Sequence, residues 1–267
     1  MKYPTLTMEL YNKLDNEVME NIRTKITNAF SKIDFNEEEH IYTMNGKHPI
    51  SVSTVLEAFI PEFEADKWAN IKAGVYKTTP EEVKEAWRMN ALLSCETGSK
   101  VHYELECYAC SKYLPWKKVK ELTIDEGLVD QERAAILIEQ GKKWLDDFIS
   151  CGWTLFDTEL IMGSEELGYV GTADLIFYKD GRLHILDWKT NNKDINGKVY
   201  HNLLGRFSFV GDNTLSHYNI QLNLYKLLLE TVTEVGVMGV VHLTPSGVDL
   251  YEVPDYSNEL NGFKVYK

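Results

Sequence analysis

Residues 168–191 read GYVGTADLIFYKDGRLHILDWKTN, and they constrain the fold more than any other stretch of the chain. Two runs rich in apolar and aromatic residues, 173–178 and 182–188, flank Lys179-Asp180-Gly181. Asp-Gly between such runs predicts a tight hairpin, because both turn positions accept positive φ. Side chains two apart on a strand share a face, so Asp187 and Lys189 project together. With the turn at Asp180-Gly181, Asp174 comes opposite Asp187. Two carboxylates and an ammonium then converge on one spot.

Facing carboxylates repel, and one pKa climbs unless a cation sits between them. Mg²⁺ takes oxygen ligands of this kind, and such an ion polarises a phosphoryl oxygen and lowers the pKa of a bound water. A lysine one pleat along can orient that water or offset developing charge. Asp-x-Lys is also an ordinary pattern for a solvated strand face. Here Ile185 and Leu186 keep the strand apolar up to Asp187, so the acid ends a strand with a buried pattern. Gly171, just before Asp174, would let backbone approach a ligand closely.

Gly171-Thr172-Ala173-Asp174 followed by Leu186-Asp187-Trp188-Lys189-Thr190 resembles the core motif of the RecB-like branch of the PD-(D/E)xK nuclease superfamily. That motif is GxxD, a strand, then hydrophobic-Asp-x-Lys-Thr. Ala173 stands where the superfamily's name has proline. Upstream, Gly98-Ser99 reads as a helix start, and His102 and Glu106, four apart, share a helix face. They match the branch's Gly-x-x-x-His-x-x-x-Glu helix. Downstream, Gln221 and Tyr225 match its Gln-x-x-x-Tyr helix. Residues 153–162 read as a strand carrying Glu159, a candidate ligand by the same resemblance.

The resemblance covers residues 97–243, with four motifs in order. It implies an α/β, restriction-endonuclease-like core: a central mixed sheet flanked by helices, with an N-terminal helical and hairpin extension. It implies a metal-dependent DNA exonuclease, similar to phage-type and mitochondrial genome maintenance exonucleases, serving replication, recombination or repair. Asp174, Asp187, His102 and the Trp188 carbonyl would hold Mg²⁺, with Mn²⁺ able to substitute. Lys189 would steady the attacking water, and Glu106 would hold His102 or a water. Thr190, Gln221 and Tyr225 would support the site or the DNA backbone. Partners would be DNA, single-stranded or with accessible ends, and a recombination or single-strand-binding protein. The alternatives are an endonuclease and a catalytically silent nuclease-fold protein that binds nucleic acid. Decay to the silent form usually removes an acid or the lysine, and all are present.

A net charge of −13 excludes a wholly basic nucleic-acid coat, so any DNA contact has to be local. Residues 111–120, SKYLPWKKVK, offer Lys112, Lys117, Lys118, Lys120 and Trp116 and carry no acid. They read either as a phosphate-contacting, base-stacking part of a basic insert at 111–130 or as a solvated loop. Four cysteines without a paired framework point to a reducing cytosol, and the phage-type resemblance implies a bacterial or phage-infected cytosol rather than an organelle. Cys107-x-x-Cys110 has no second pair to complete a zinc site. The late cysteine trio of iron–sulfur members of the branch is missing, so no cluster is expected and the thiols read as buried and free. Residues 1–22 hold no continuous apolar stretch, which predicts no signal peptide, and no run of eighteen apolar residues occurs.

With 44% hydrophobic residues the 267-residue chain has ample material for a core. The division expected is an extension over 1–96 packed on a nuclease core over 97–267. Leu6, Leu10, Leu14, Val18, Ile22, Ile26 and Phe30 predict an amphipathic helix over 5–32. A hairpin is expected over 39–50 around Asn45-Gly46, then a short helix at 54–59 capped by Ser51 or Ser53. Residues 64–93 read as helical, broken near Gly74 and Pro80, with Trp68 and Trp87 in the core. Helices over 130–150 and 217–230 and strands over 235–243 and 248–253 follow. Between them, 192–216 is irregular and offers cations at Lys193, Lys198, His201 and Arg206.

Overall fold

The computed structural model describes residues 8–36 and 41–265, the side chains of residues 8–12 excepted. The hairpin forms as expected. Strand β5 (Tyr169–Lys179) pairs antiparallel with β6 (Arg182–Lys189), closing at Lys179 and Arg182. Asp180 and Gly181 take φ values of 51° and 78°, the left-handed region that Asp and Gly enter most easily.

The other edge of β6 runs parallel to β7 (Val235–Thr244), which pairs antiparallel with β8 (Gly247–Glu252). A strand held on both edges and covered on both faces is a nearly continuous apolar run. From Leu183 to Trp188 every residue of β6 is buried. Strand β4 (Thr154–Ser164) pairs antiparallel along one edge of β5. The opposite edge of β5 takes two partners in succession. It pairs in parallel with β3 (Ile50–Ser51) at Tyr169 and Val170, and with β6 from Leu175 onward. Residues 171–174 lie at the fork between them, and there the candidate site residues gather.

Helices cover both faces of this mixed sheet. On one face pack the last turns of α1 (Met8–Phe30), α2 (Val52–Glu57) and α6 (Thr214–Leu229); on the other pack α4 (Pro80–Tyr113) and α5 (Gln131–Ser150). The architecture is α/β, with helix α3 (Ala65–Tyr76) and the β1 (Ile33–Asn36) and β2 (Ile41–Met44) ribbon completing an N-terminal helical and hairpin region. Among the described residues, no helix is long and apolar enough to cross a membrane.

Several local expectations change. Asn45 and Gly46 do turn the chain, with φ of 50° and 76°. However, β2 pairs with the preceding β1 in the register Phe35 to Tyr42, and only Met44 and Lys47 bridge across the turn. The segment after the turn leaves to join the main sheet as β3. Glu39 and His40 lie outside the described residues, as does Leu6. Among the described side chains of α1, Ile22, Ile26 and Phe30 are buried, whereas Leu14 and Val18 remain exposed; the N-terminal half touches the sheet through Asp15, which accepts from the Tyr178 hydroxyl.

The break expected near Gly74 falls at residues 77–79, where Lys77 ends α3 in the left-handed conformation. The break expected near Pro80 is therefore present, and Pro80 itself opens the next helix. Thr79 caps it, Glu82 completes a capping box, and proline at the first position gives up no hydrogen bond. That helix passes unbroken through residue 96 and through Gly98, so Gly98-Ser99 is no helix start. Trp68 is exposed and Trp87 only half-buried, since α3 and the start of α4 pack mainly on each other through Ala69, Ala73 and Val83.

Two glycines explain how helices approach the fork. A Cβ at Gly171 would lie 2.6 Å from Tyr225 Cε1 and 2.9 Å from Val52 Cγ2, so the missing side chain admits α6 and α2 rather than a ligand. A Cβ at Gly98 would lie 3.2 Å from Thr190 Oγ1, so α4 runs close over the end of β6 there. Gly171→Ala is therefore expected to lose roughly 1–3 kcal/mol of stability by overpacking. Urea denaturation measures this, and an unchanged midpoint would mean that Tyr225 yields freely.

Candidate metal centre

The ladder between β5 and β6 ends at Leu175 and Leu186. One step further, the Asp174 carboxylate replaces a backbone acceptor: the Trp188 N–H donates to its Oδ2 at 2.8 Å. This fixes Asp174 against the end of β6, beside Asp187, whose exposure is 1%. Lys189 Nζ makes a close ion pair with Asp187 Oδ2. That oxygen is fully buried, and among the described residues it accepts no hydrogen bond of ordinary geometry. The expected convergence of Asp174, Asp187 and Lys189 is present.

Glu159 joins them from β4. The pairs Thr158 with Leu175 and Leu160 with Ala173 place it across from Asp174. Its φ is 42°, a conformation uncommon for a residue other than glycine and of a kind that gathers at functional sites. His102 reaches in from α4, with Nδ1 3.4 Å from Asp174 Oδ2 and a hydrogen bond to the backbone of Trp188. Donor atoms of His102, Glu159 and Asp174 all lie within 4.8 Å of one another.

Electrostatics show how crowded this group is. Burial, then the charges of Glu106 and Asp187, pushes Glu159 up to about 8. Burial, then Asp187 and Glu159, holds Asp174 well above the usual carboxylate range. Burial followed by the Lys189 charge pushes His102 down to about 4, so at neutral pH its contact with Asp174 is not an ion pair. Burial works to lower Lys189, but Asp187 and Asp174 outweigh it and raise the ammonium. Carboxylates that cannot all ionise and a neutral imidazole with a lone pair to give fit a divalent cation. His102, Glu159, Asp174 and Asp187 would be its donors, with the Trp188 carbonyl beside His102.

Residues outside the motifs hold this end of β6. Arg133 on α5 donates to the Thr190 carbonyl, His242 on β7 lies 3.0 Å from the Asn191 carbonyl, and Tyr218 donates to Asn191 Oδ1 at 2.8 Å. The Tyr218 ring lies 4.4 Å from Lys189 Nζ, a cation–π contact that steadies the ammonium. Gln221 instead donates to the Tyr225 hydroxyl at 2.8 Å, and the Tyr225 ring is spent in packing on Gly171. Tyr218 precedes Gln221 by three residues and faces the lysine for the same helical reason. Nothing in sequence pointed to Arg133 or His242.

A cleft of about 820 Å³ opens beside this group, with His102, Glu106 and Glu159 in its lining and Lys118 and Lys120 among its other residues. Lys117 also borders it, but pairs with Asp157 at 2.6 Å and donates to the Thr158 carbonyl. It is thus a structural clamp on β4 rather than a free phosphate contact. Lys112 is likewise paired with Asp146, at 2.7 Å. Trp116 is exposed, but Arg23 lies over its ring at 4.5 Å. In the irregular segment, His201 and His217 both pair with Asp212, at 2.6 and 2.5 Å. The four thiols are free, yet only Cys110 is buried; Cys107 is half-buried, and Cys95 and Cys151 are exposed.

No family model matches the chain, and no curated protein sequence matches it. A solved structure, the crystal structure of SSO0001, is similar over 62% of this chain and 77% of its own, at 17% identity and a TM-score of 0.27. A likeness that low bears on neither fold nor function.

The raised Glu159 has a consequence for stability. Its ordinary pKa is 4.5 and its folded value about 8, so between them the folded chain keeps a proton that the unfolded chain has released. Stability therefore falls as pH rises through this range. His102, lowered from 6.5 to about 4, acts in the opposite direction below pH 6.5. From pH 6.5 to 8 the metal-free melting temperature should then fall more steeply in wild type than in Glu159→Gln. Parallel curves would contradict the burial of Glu159 among like charges.

Proposed function

We propose that the chain is a Mg²⁺-dependent deoxyribonuclease, and an exonuclease in preference to an endonuclease, acting in DNA replication, recombination or repair. The observation that carries this reading is the convergence of His102, Glu159 and Asp174 beside the Asp187 and Lys189 pair, from four separate elements. Its expected form is that of the PD-(D/E)xK nucleases that residues 171–190 resemble, and the helix–strand order around the sheet agrees with it. A catalytically silent relative is disfavoured because no acid, and not the lysine, has been lost.

A divalent cation held by these donors would polarise a phosphoryl oxygen and make a bound water acidic. The chain's own residues do the rest. His102 stays neutral and so offers a lone pair rather than a competing charge. Asp187 and Asp174 keep Lys189 protonated. The Tyr218 ring steadies that ammonium, which can hydrogen-bond a water and offset negative charge on the phosphate. Arg133 and His242 hold the β6 terminus and keep Lys189 in line. The reading is of a cytosolic protein, in keeping with its unpaired thiols.

Incubation with end-labelled and circular DNA, in Mg²⁺ and in EDTA, tests the reading. Linear DNA should be degraded from its ends only with metal, and circles should survive. Cleavage in EDTA, or none in Mg²⁺ or Mn²⁺, would overturn it. Lys189→Met should lower kcat by about 100-fold, or about 2.7 kcal/mol of transition-state stabilisation. Its Mn²⁺ affinity should hold or rise, because a positive charge has left the donors. Near-normal turnover would remove Lys189 from the chemistry.

A further inference from the structure

We propose that Tyr42, on the β1–β2 ribbon and outside every motif of the chain, is a further catalytic residue. Its hydroxyl donates a hydrogen bond to a non-bridging oxygen of the phosphodiester under attack. The assignment rests on the nuclease reading above and adds to it a residue that the resemblance does not supply.

Between Tyr169 and Tyr178, β5 is buried except at Thr172 and Asp174. Two apart on one strand, these side chains project to the same face, one pleat or about 7 Å apart. Thr172 and Tyr42 both line the cleft that His102 and Glu159 border, and the Tyr42 hydroxyl lies 2.9 Å from Thr172 Oγ1. A phenol from the ribbon is thereby held on the face that carries Asp174. A two-stranded ribbon alone is marginal, but this one is seated. Ile33 and Met44 fill the space over Gly163 of β4, where a Cβ would meet Ile33 Cδ1 at 2.9 Å and Met44 Sδ at 3.3 Å. The Phe35 ring packs on Tyr42 with centroids 4.4 Å apart.

A proton count makes the pair a donor. Two hydroxyls carry two protons, and one is spent in the bond between them. Among the described residues, neither hydroxyl makes a second hydrogen bond, so the other proton is left for what enters the cleft. Acidity decides which hydroxyl faces outward. A phenol is more acidic than an aliphatic alcohol and is the stronger donor, so Thr172 donates to Tyr42 and Tyr42 donates to the phosphate anion. Burial, with the Glu159 charge behind it, raises the Tyr42 phenol, so it keeps its proton at neutral pH. That proton stays on Tyr42 throughout, and the bond strengthens as negative charge builds on the oxygen it meets.

Turnover of end-labelled linear DNA in Mn²⁺ by Tyr42→Phe, which keeps the ring and removes the hydroxyl, tests the assignment. This variant should lose roughly 10- to 150-fold in kcat, as loss of one hydrogen bond to a charged acceptor does. Its Mn²⁺ affinity should stay at the wild-type value. Thr172→Val, which unhooks the phenol without touching the ribbon, should also lower kcat, and Thr172→Ser should restore it. The double variant Tyr42→Phe, Thr172→Val should be no slower than Tyr42→Phe, because the two hydroxyls act as one unit. Phosphorothioate DNA places sulfur, a weak acceptor, at one non-bridging oxygen, so with one of its two diastereomers the Tyr42→Phe deficit should vanish. The same deficit on oxygen and on both sulfur diastereomers overturns the assignment. So does a fall in Mn²⁺ affinity that accounts for the loss, since the hydroxyl would then position ligands instead. Wild-type cutting by both Tyr42→Phe and Thr172→Val sinks the assignment and leaves the nuclease. No cutting by wild type sinks the nuclease reading and the assignment with it.

Discussion

Asp174 and Asp187 face each other across the end of a buried antiparallel pair, in a medium that screens like charges poorly. Left alone they would repel, and much of the surrounding structure holds them in place. The Trp188 N–H anchors Asp174, and Lys189 neutralises Asp187. The fork at residues 171–174, where β3 and β6 leave β5 in turn, supplies the opening. Glu159, in its left-handed conformation, adds a third acid to a place already short of positive charge. Carboxylates gathered in this way cost stability, and crowded, strained groups of this kind cluster at functional sites.

The two helical layers divide the work. From one face α6 offers Tyr218 to Lys189 and packs Tyr225 into the space above Gly171. From the other, α4 passes close over Thr190 at Gly98 and so brings His102 to Asp174. Arg133 on α5 and His242 on β7 hold the irregular backbone beyond Lys189 by its carbonyls. The acids and the lysine are therefore held in place from both helical layers and from β7.

What could be read from sequence was what depends on local chemistry. Asp180-Gly181 fixes the turn, the turn sets the register, and the register brings Asp174 to Asp187. His102 and Glu106 share a face whatever the exact helix start, so placing that start at Gly98 did no harm to the pair. Glu159 was visible only as an acid on a strand, because its approach to Asp174 depends on a register shift between Leu155 and Asp157 and on a positive φ. The Asn45-Gly46 turn was recognisable, but its strand partner was not: β1 competes for β2, and long-range pairing with β5 draws away the residues that follow. The basic run at 111–120 looked uniform, yet Asp157 and Asp146, distant in sequence, claim Lys117 and Lys112. Such partners are invisible until the chain has folded.

The central claim is that His102, Glu159, Asp174 and Asp187 form one cation site. Electron paramagnetic resonance of free Mn²⁺, titrated with the purified protein, tests it most directly. The account predicts saturable loss of the free Mn²⁺ signal, its return when Mg²⁺ competes, and no loss with the Asp174→Asn, Asp187→Asn double variant. Undiminished Mn²⁺ binding by the double variant, or no binding by wild type at millimolar metal, would contradict it.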